Sequence, residues 1–239
     1  MPELLGAEKD KLTMKTYLKH AFARLPEPLQ QEIRRQYYRR QIRKGTFEPD
    51  EREYEVLGRY VSEEDWVLDI GANIGYYTLK LSELVGPRGR VFAVEPVPST
   101  FELLASNVRC APFRNITLLN LAASNELRLS GMEIPNFDTG IINHYEARLS
   151  DRETDLRVVC MPLDAFSLPH RISLVKIDVE DHDLPVLQGM TRLLMRDHPL
   201  LIIEYNSEEL QEFLSNLGYC SEQLERSPNV IYQIGRAHV

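Results

Sequence analysis

The run Trp66-Val-Leu-Asp-Ile-Gly-Ala-Asn-Ile-Gly-Tyr-Tyr-Thr78 constrains this chain more than any other. It reads as a buried strand, a tight glycine turn and the start of a helix. Asp69 closes the strand, and Gly71 and Gly75 free the backbone to approach a ligand where a Cβ would collide. The helix behind the turn presents unpaired N–H groups and a positive dipole end to whatever occupies it. A second apolar run, Arg90-Val-Phe-Ala-Val-Glu95, also ends in a carboxylate. That carboxylate falls about 20 residues past the glycines, where a ribose diol is gripped in nucleotide-binding α/β folds.

From Trp66 onward, strand-like and helix-periodic runs alternate. This predicts an α/β fold: a mostly parallel twisted sheet with helices on both faces and a C-terminal antiparallel hairpin. Strands are expected over 66–70, 90–95, 116–121, 174–178 and 199–204. Helices are expected over about 74–85, 98–109, 183–195 and 207–217, with the hairpin at 219–224 and 229–234. The rhythm breaks over 124–172, where short alternating pieces flank a polar loop. Loops of that length inside a compact domain are commonly functional. Before the core, helices are expected over about 9–24, 28–44 and 50–61. The spacing places Leu29, Ile33, Tyr37 and Ile42 near one face of the second. Residues 1–60 therefore read as a basic helical appendage and 61–239 as one α/β domain with an irregular insertion at 124–172.

Charge separates these parts. The chain carries a net charge of −8, yet residues 11–45 hold ten Lys and Arg against only Glu27 and Glu32, about +8, leaving about −16 elsewhere. The acidic total argues against a nucleic-acid partner. The basic helices suit an acidic surface, self-association or the chain's own body. No apolar run approaches the length of a membrane span. The three cysteines, Cys110, Cys160 and Cys220, lie too far apart for a zinc or disulfide framework. With an N-terminus unlike a secretory signal, the expected location is cytoplasmic.

Two cofactors suit the glycine turn. A dinucleotide fingerprint needs three glycines to admit a pyrophosphate. Here Asn73 takes the middle position, obstructing a diphosphate but able to hydrogen-bond an amino acid's ammonium and carboxylate. Asp69 adds negative charge toward the ammonium, the polarity a methionyl group requires. The second constellation is Leu174-Val-Lys-Ile-Asp-Val-Glu-Asp-His-Asp183. It gathers Asp178, Glu180, Asp181 and His182 at a strand's carboxyl end, where open α/β sheets form their ligand crevice. Asp178, Glu180 and Asp181 also offer hard oxygen ligands for Mg²⁺. Acidic turns are commonly plain helix caps, so no metal is assigned.

Asp69-Ile-Gly-Ala-Asn-Ile-Gly-Tyr-Tyr-Thr78, Val94-Glu-Pro96, Leu163-Asp164 and Lys176-Ile-Asp-Val-Glu180 with His182 resemble, in that order, the FkbM-type methyltransferase family. The resemblance covers about residues 64–206. It implies a Rossmann-like class I fold and S-adenosylmethionine-dependent O-methylation of hydroxyls on sugars or natural products. It also implies that Asp69, Gly71, Ala72, Asn73 and Gly75 bind the methionyl end of the cofactor. Glu95 and Pro96 would sit at its ribose and adenine, with Ala122 and Ala123 flanking the adenine ring. The chain departs from the family's usual glycine at Asp181 and from its usual glutamate at Asp183.

An alcohol acceptor must lose a proton, and a placed base contributes roughly 10²–10⁴-fold. His182 is the expected base, oriented by Asp178 or Glu180. Asp138, Thr139, His144 and Tyr145 in the irregular loop are expected to contact the small-molecule acceptor. N-methylation of an amine or protein side chain would use the same cofactor residues. A different class of reading is a non-catalytic binding module acting through the basic helices.

Overall fold

The computed structural model describes residues 20–49, 51–135, 146–204, 207–223 and 227–235. Helix α1 (Glu27–Lys44) follows Pro26 and ends at Gly45, whose left-handed φ of 65° closes the last turn. A short helix α2 (Arg52–Val56) and a 3₁₀ turn lead to strand β1 (Trp66–Ile70). Then come α3 (Tyr76–Val85), β2 (Arg90–Val94), α4 (Pro98–Val108) and β3 (Ile116–Leu119). The middle of the chain forms β4 (Ala122–Ala123), β5 (Arg128–Glu133), β6 (Arg148–Ser150) and β7 (Arg157–Met161). The last part is β8 (Ile172–Ile177), α5 (Asp183–Gln188), α6 (Thr191–Asp197), β9 (Leu200–Ile203), α7 (Glu208–Asn216), β10 (Tyr219–Gln223) and β11 (Val230–Ile234).

The main sheet has the order β10-β11-β9-β8-β1-β2-β3. Every pairing in it is parallel except those of β11, which lies antiparallel between β9 and β10. The strands are nearly continuous apolar runs because both faces are covered. Val67, Leu174 and Ile202 pack on one face with Leu57, Leu81 and Val85, and Leu68, Val175 and Leu201 pack on the other with Leu187 and Leu194. The chain runs outward from β1 to β3, then returns to β8 on the other side of β1. The strand order therefore reverses between β1 and β8, which opens a crevice at their carboxyl ends.

Four expectations are revised. The helix expected over 183–195 is two helices. The first is capped by Gly189, where a Cβ would lie 1.8 Å from the carbonyl oxygen of Ser124. The carboxylate of Asp164 caps the second, accepting from the N–H of Arg192 and Leu193 at 2.8 and 3.0 Å. On α1, Leu29, Ile33 and Tyr37 are exposed, while Tyr38 and Ile42 pack beside Phe47. The cause is that α1 docks on α4 through its other face, where Gln31 is buried and its amide meets the carbonyl of Ser99.

The segment 124–172 is not irregular throughout its described part. With β4 it builds a second sheet, order β4-β7-β5-β6, around Met132, Val158 and Cys160. Residues 51–60 belong to the body rather than to an appendage: Leu57 is fully buried, and Tyr54 and Val61 pack in the same cluster. Within the helix expected over 9–24, only 20–24 are described, and 20–23 are helical. No helix among the described residues is long and apolar enough to cross a membrane.

Candidate active site

A group of ionisable side chains lies in a cleft at the carboxyl ends of β1, β2, β8 and β9, walled on one side by β5 and β6. It encloses about 950 Å³ of space open to solvent. Of the residues singled out in the sequence, Gly71, Asn73, Glu95, Pro96, Ala122, Ala123, Asp178, Glu180 and His182 line it. Asp69, Ala72 and Gly75 stand behind this wall. Ala72 packs with Ala93 and Leu104, and Asp69 is fully buried.

Contacts within the protein already require glycine in this turn. Gly71 has φ of 79°, and a Cβ would lie 1.8 Å from the backbone oxygen of Asp178. Gly75 has φ of 96°, and a Cβ would meet Leu104 at 2.7 Å. Both positions are strained for any L side chain, and the first would also drive β1 and β8 apart. Asn73 likewise sits at a positive φ of 48°, which asparagine tolerates.

This turn aims its N–H groups at β2. The amides of Gly71 and Ala72 donate to Val94 O at 3.0 and 2.9 Å, and that of Asn73 donates to Glu95 Oε2 at 3.0 Å. The N–H of Val97 donates to Glu95 Oε1 at 2.9 Å. Each oxygen of Glu95 thus has one amide donor and keeps a lone pair for another. Burial pushes the Glu95 carboxyl up to about 7 against the pull of those two amides.

Beneath the turn, Asp69 Oδ2 accepts from Thr78 Oγ1 at 2.5 Å, while Oδ1 is buried with no hydrogen-bond partner among the described residues. Burial raises the Asp69 pKa; the charge of Lys176 opposes it. Lys176 is 2% exposed and donates to Asp178 Oδ2 at 2.7 Å. Its ammonium lies 4.3 Å from the ring centroid of Tyr77. Burial would raise the carboxyl of Asp178 too, but the Lys176 charge and hydrogen bonds from Glu204 and Lys176 hold it below the usual range. The hydrogen bond to Asp178, together with burial, pushes Glu204 up to about 8. The two carboxyls are thus driven apart, Asp178 toward its ionised form and Glu204 toward its protonated one. Glu51 completes the floor, accepting from Tyr77 Oη at 2.5 Å.

His182 departs from its expected partners. Its Nε2 lies 3.0 Å from Ser124 Oγ, and among the described residues no carboxylate of Asp178 or Glu180 hydrogen-bonds it. Lys176 and Glu204 occupy the first of these carboxylates. Burial, with a smaller contribution from Arg128, lowers the His182 pKa, so the ring is neutral at pH 7. Asp181 has φ of 56°, a conformation glycine adopts freely, and its carboxylate lies 3.6 Å from Arg148.

Sequence reasoning missed Glu51, Arg148 and Glu204. Glu204 had a legible signal, since it ends its apolar run as Asp69, Glu95 and Asp178 end theirs. Glu51 and Arg148 had none, because they reach the cleft from elements outside the strand ends. Asp138, Thr139, His144 and Tyr145 lie outside the described residues. No group of three His, Cys, Asp or Glu among the described residues is arranged to hold a metal ion.

Comparison with known proteins agrees with this architecture. The family model for the methyltransferase FkbM domain matches residues 69–223. The hexuronic acid methyltransferase AglP of Haloferax volcanii is 28% identical over 188 residues, covering 76% of this chain and 74% of that protein. A protein-L-isoaspartate O-methyltransferase of Methanothrix thermoacetophila is 38% identical over 53 residues, so the match spans 22% of this chain and 25% of that one. The crystal structure of the methyltransferase FkbM from Methylobacillus flagellatus KT shares the fold with a TM-score of 0.50 at 19% identity. It covers 72% of this chain and 43% of its own. With the family model spanning well over half of its length, and a strand order that opens a crevice between β1 and β8, this chain belongs to the FkbM methyltransferase family.

Proposed function

We propose that the protein is an S-adenosylmethionine-dependent methyltransferase that O-methylates a hydroxyl on a sugar or natural-product-like small molecule. The observation that carries this reading is Glu95, held at the β2 end by the amides of Asn73 and Val97 with a free lone pair on each oxygen. That geometry suits the two O–H donors of a ribose diol. The cleft fits the rest of the cofactor as well. Its floor of Asp178, Glu180 and Glu51 complements a cation, and the turn around Asn73 supplies polar atoms for an amino acid head group. The similarity to a hexuronic acid methyltransferase supports a sugar-like acceptor.

When bound, S-adenosylmethionine supplies a methyl group already activated on a sulfonium. The chain's task is then positioning, for which effective molarities of about 10⁵–10⁸ M are known, and proton removal. His182 takes the acceptor's hydroxyl proton. In the tautomer whose Nε2–H donates to Ser124 Oγ, the ring's lone pair sits on Nδ1. Asp178 stays ionised because Lys176 and Glu204 hold it so, and it balances the cationic donor without competing for the acceptor's proton.

The test separates binding from turnover. His182→Ala is expected to lower kcat by roughly 10²–10⁴-fold with S-adenosylmethionine affinity unchanged by calorimetry. In the parent, rate should rise with pH through a pKa below the usual histidine value and then level off, because the neutral ring is the active form. Turnover within a few-fold of the parent would show that another group removes the proton.

A further inference from the structure

We infer that Arg148 selects an acidic acceptor, exchanging its ion pair with Asp181 for a carboxylate on the substrate. This rests on the methyltransferase reading above and names the acceptor class. Arg148 is the sole lysine or arginine among the described residues lining the cleft, whose other lining side chains include the carboxyl groups of Glu51, Glu95, Asp178, Glu180 and Glu204. Such a wall attracts the cationic donor and repels an anionic acceptor everywhere except beside this guanidinium.

The placement fits that role. Arg148 lies at the start of β6, between Ala147 and Leu149, which also line the cleft. Its partner Asp181 sits on the turn between β8 and α5, next to the proposed base His182. A carboxylate seated at Arg148 thus anchors a small molecule beside the turn that carries the base, which lets a hydroxyl of the same molecule face His182.

The present pair is built to be exchanged. The two side chains are 47% and 66% exposed and 3.6 Å apart, longer than a charge-assisted hydrogen bond of about 2.7–2.9 Å. Exposed pairs of this kind hold weakly. A bound carboxylate can engage the planar guanidinium through two parallel N–H donors, which the present contact does not do. Asp181 stands at a φ of 56°, so replacing it by glycine removes the competing carboxylate and suits the backbone.

The experiment uses the protein loaded with S-adenosylhomocysteine, with methyl β-D-glucuronide and methyl β-D-glucoside as probes of equal size and different charge. Calorimetry first measures S-adenosylhomocysteine binding. Its failure would remove the cofactor reading itself, before any probe is added. Given a loaded protein, the glucuronide is expected to bind about 10–100-fold tighter than the glucoside, the range of a charged hydrogen-bonded pair. Arg148→Ala should abolish that preference, with glucoside binding and S-adenosylhomocysteine affinity unchanged. Arg148→Lys should retain part of it, and Asp181→Gly should strengthen glucuronide binding several-fold. A glucuronide no tighter than the glucoside, or a preference that survives Arg148→Ala, would overturn the assignment.

Discussion

At Glu95 burial and hydrogen bonding pull in opposite directions, and burial wins, which leaves the carboxyl titrating near 7. The sign of the consequence follows. Only the ionised form can accept from both hydroxyls of a diol, so cofactor affinity should weaken as pH falls from 8 to 6. Glu95→Gln should weaken S-adenosylhomocysteine binding about 10–100-fold and remove most of that pH dependence. Calorimetry at several pH values checks both, and a flat profile in the parent would contradict the role. The sequence marked Glu95 by its place at the end of an apolar run. It could not mark Ser124 as the partner of His182, because that contact joins residues 58 apart. Nor could it show that Gly71 answers to the Asp178 carbonyl, an approach that exists only once β1 and β8 pair.

Among the elements, helices with strong periodicity and clear stop signals emerged close to their expected bounds, and the failures have identifiable causes. The pattern Leu29, Ile33, Tyr37 on α1 obeys helical spacing, yet these side chains are the exposed ones. Periodicity shows that a stripe exists; the neighbour's position decides which stripe is covered. Leu29→Ser and Ile33→Ser should each change stability by no more than about 0.5 kcal/mol. Asp164→Ala should cost about 1 kcal/mol, because it removes the carboxylate that caps α6. Urea unfolding of the three variants distinguishes the two expectations. The Leu163-Asp164 pair carries part of the family resemblance; Leu163 packs in the core and Asp164 caps the start of α6.

For the whole molecule, closure depends on Glu53. It is fully buried and accepts from Tyr77 on α3 and from Ser227 and Asn229 beside the C-terminal hairpin, tying the start of the body to its end. The same concentration of buried carboxyls sets a pH dependence. Glu95 and Asp183 are raised to about 7 and Glu204 to about 8, the first two chiefly by burial. Among the described residues no other residue hydrogen-bonds the buried carboxyl oxygens of Asp183. Groups raised in the folded state bind more protons there than in the unfolded chain. Their contribution is complete below the unfolded value of about 4 and is lost as pH rises through the folded values. The ligand-free protein should therefore lose thermal stability between pH 5 and 8. Asp183→Asn should flatten the slope, and a Tm that climbs over this range in the parent would refute the account.

The alternation of strand and helix, the glycine turn and the carboxylates at the strand ends were legible in the sequence. Each is written in residues a few positions apart, where backbone geometry and side-chain period act directly. What closes the cleft was decided by tertiary structure alone: Glu51 from the N-terminal segment, Arg148 from the second sheet and the pairing of His182 with Ser124. Those groups meet because β1 and β8 pair across a reversal of strand order, which brings together residues over a hundred positions apart. Burial then shifts their protonation in ways no local pattern encodes.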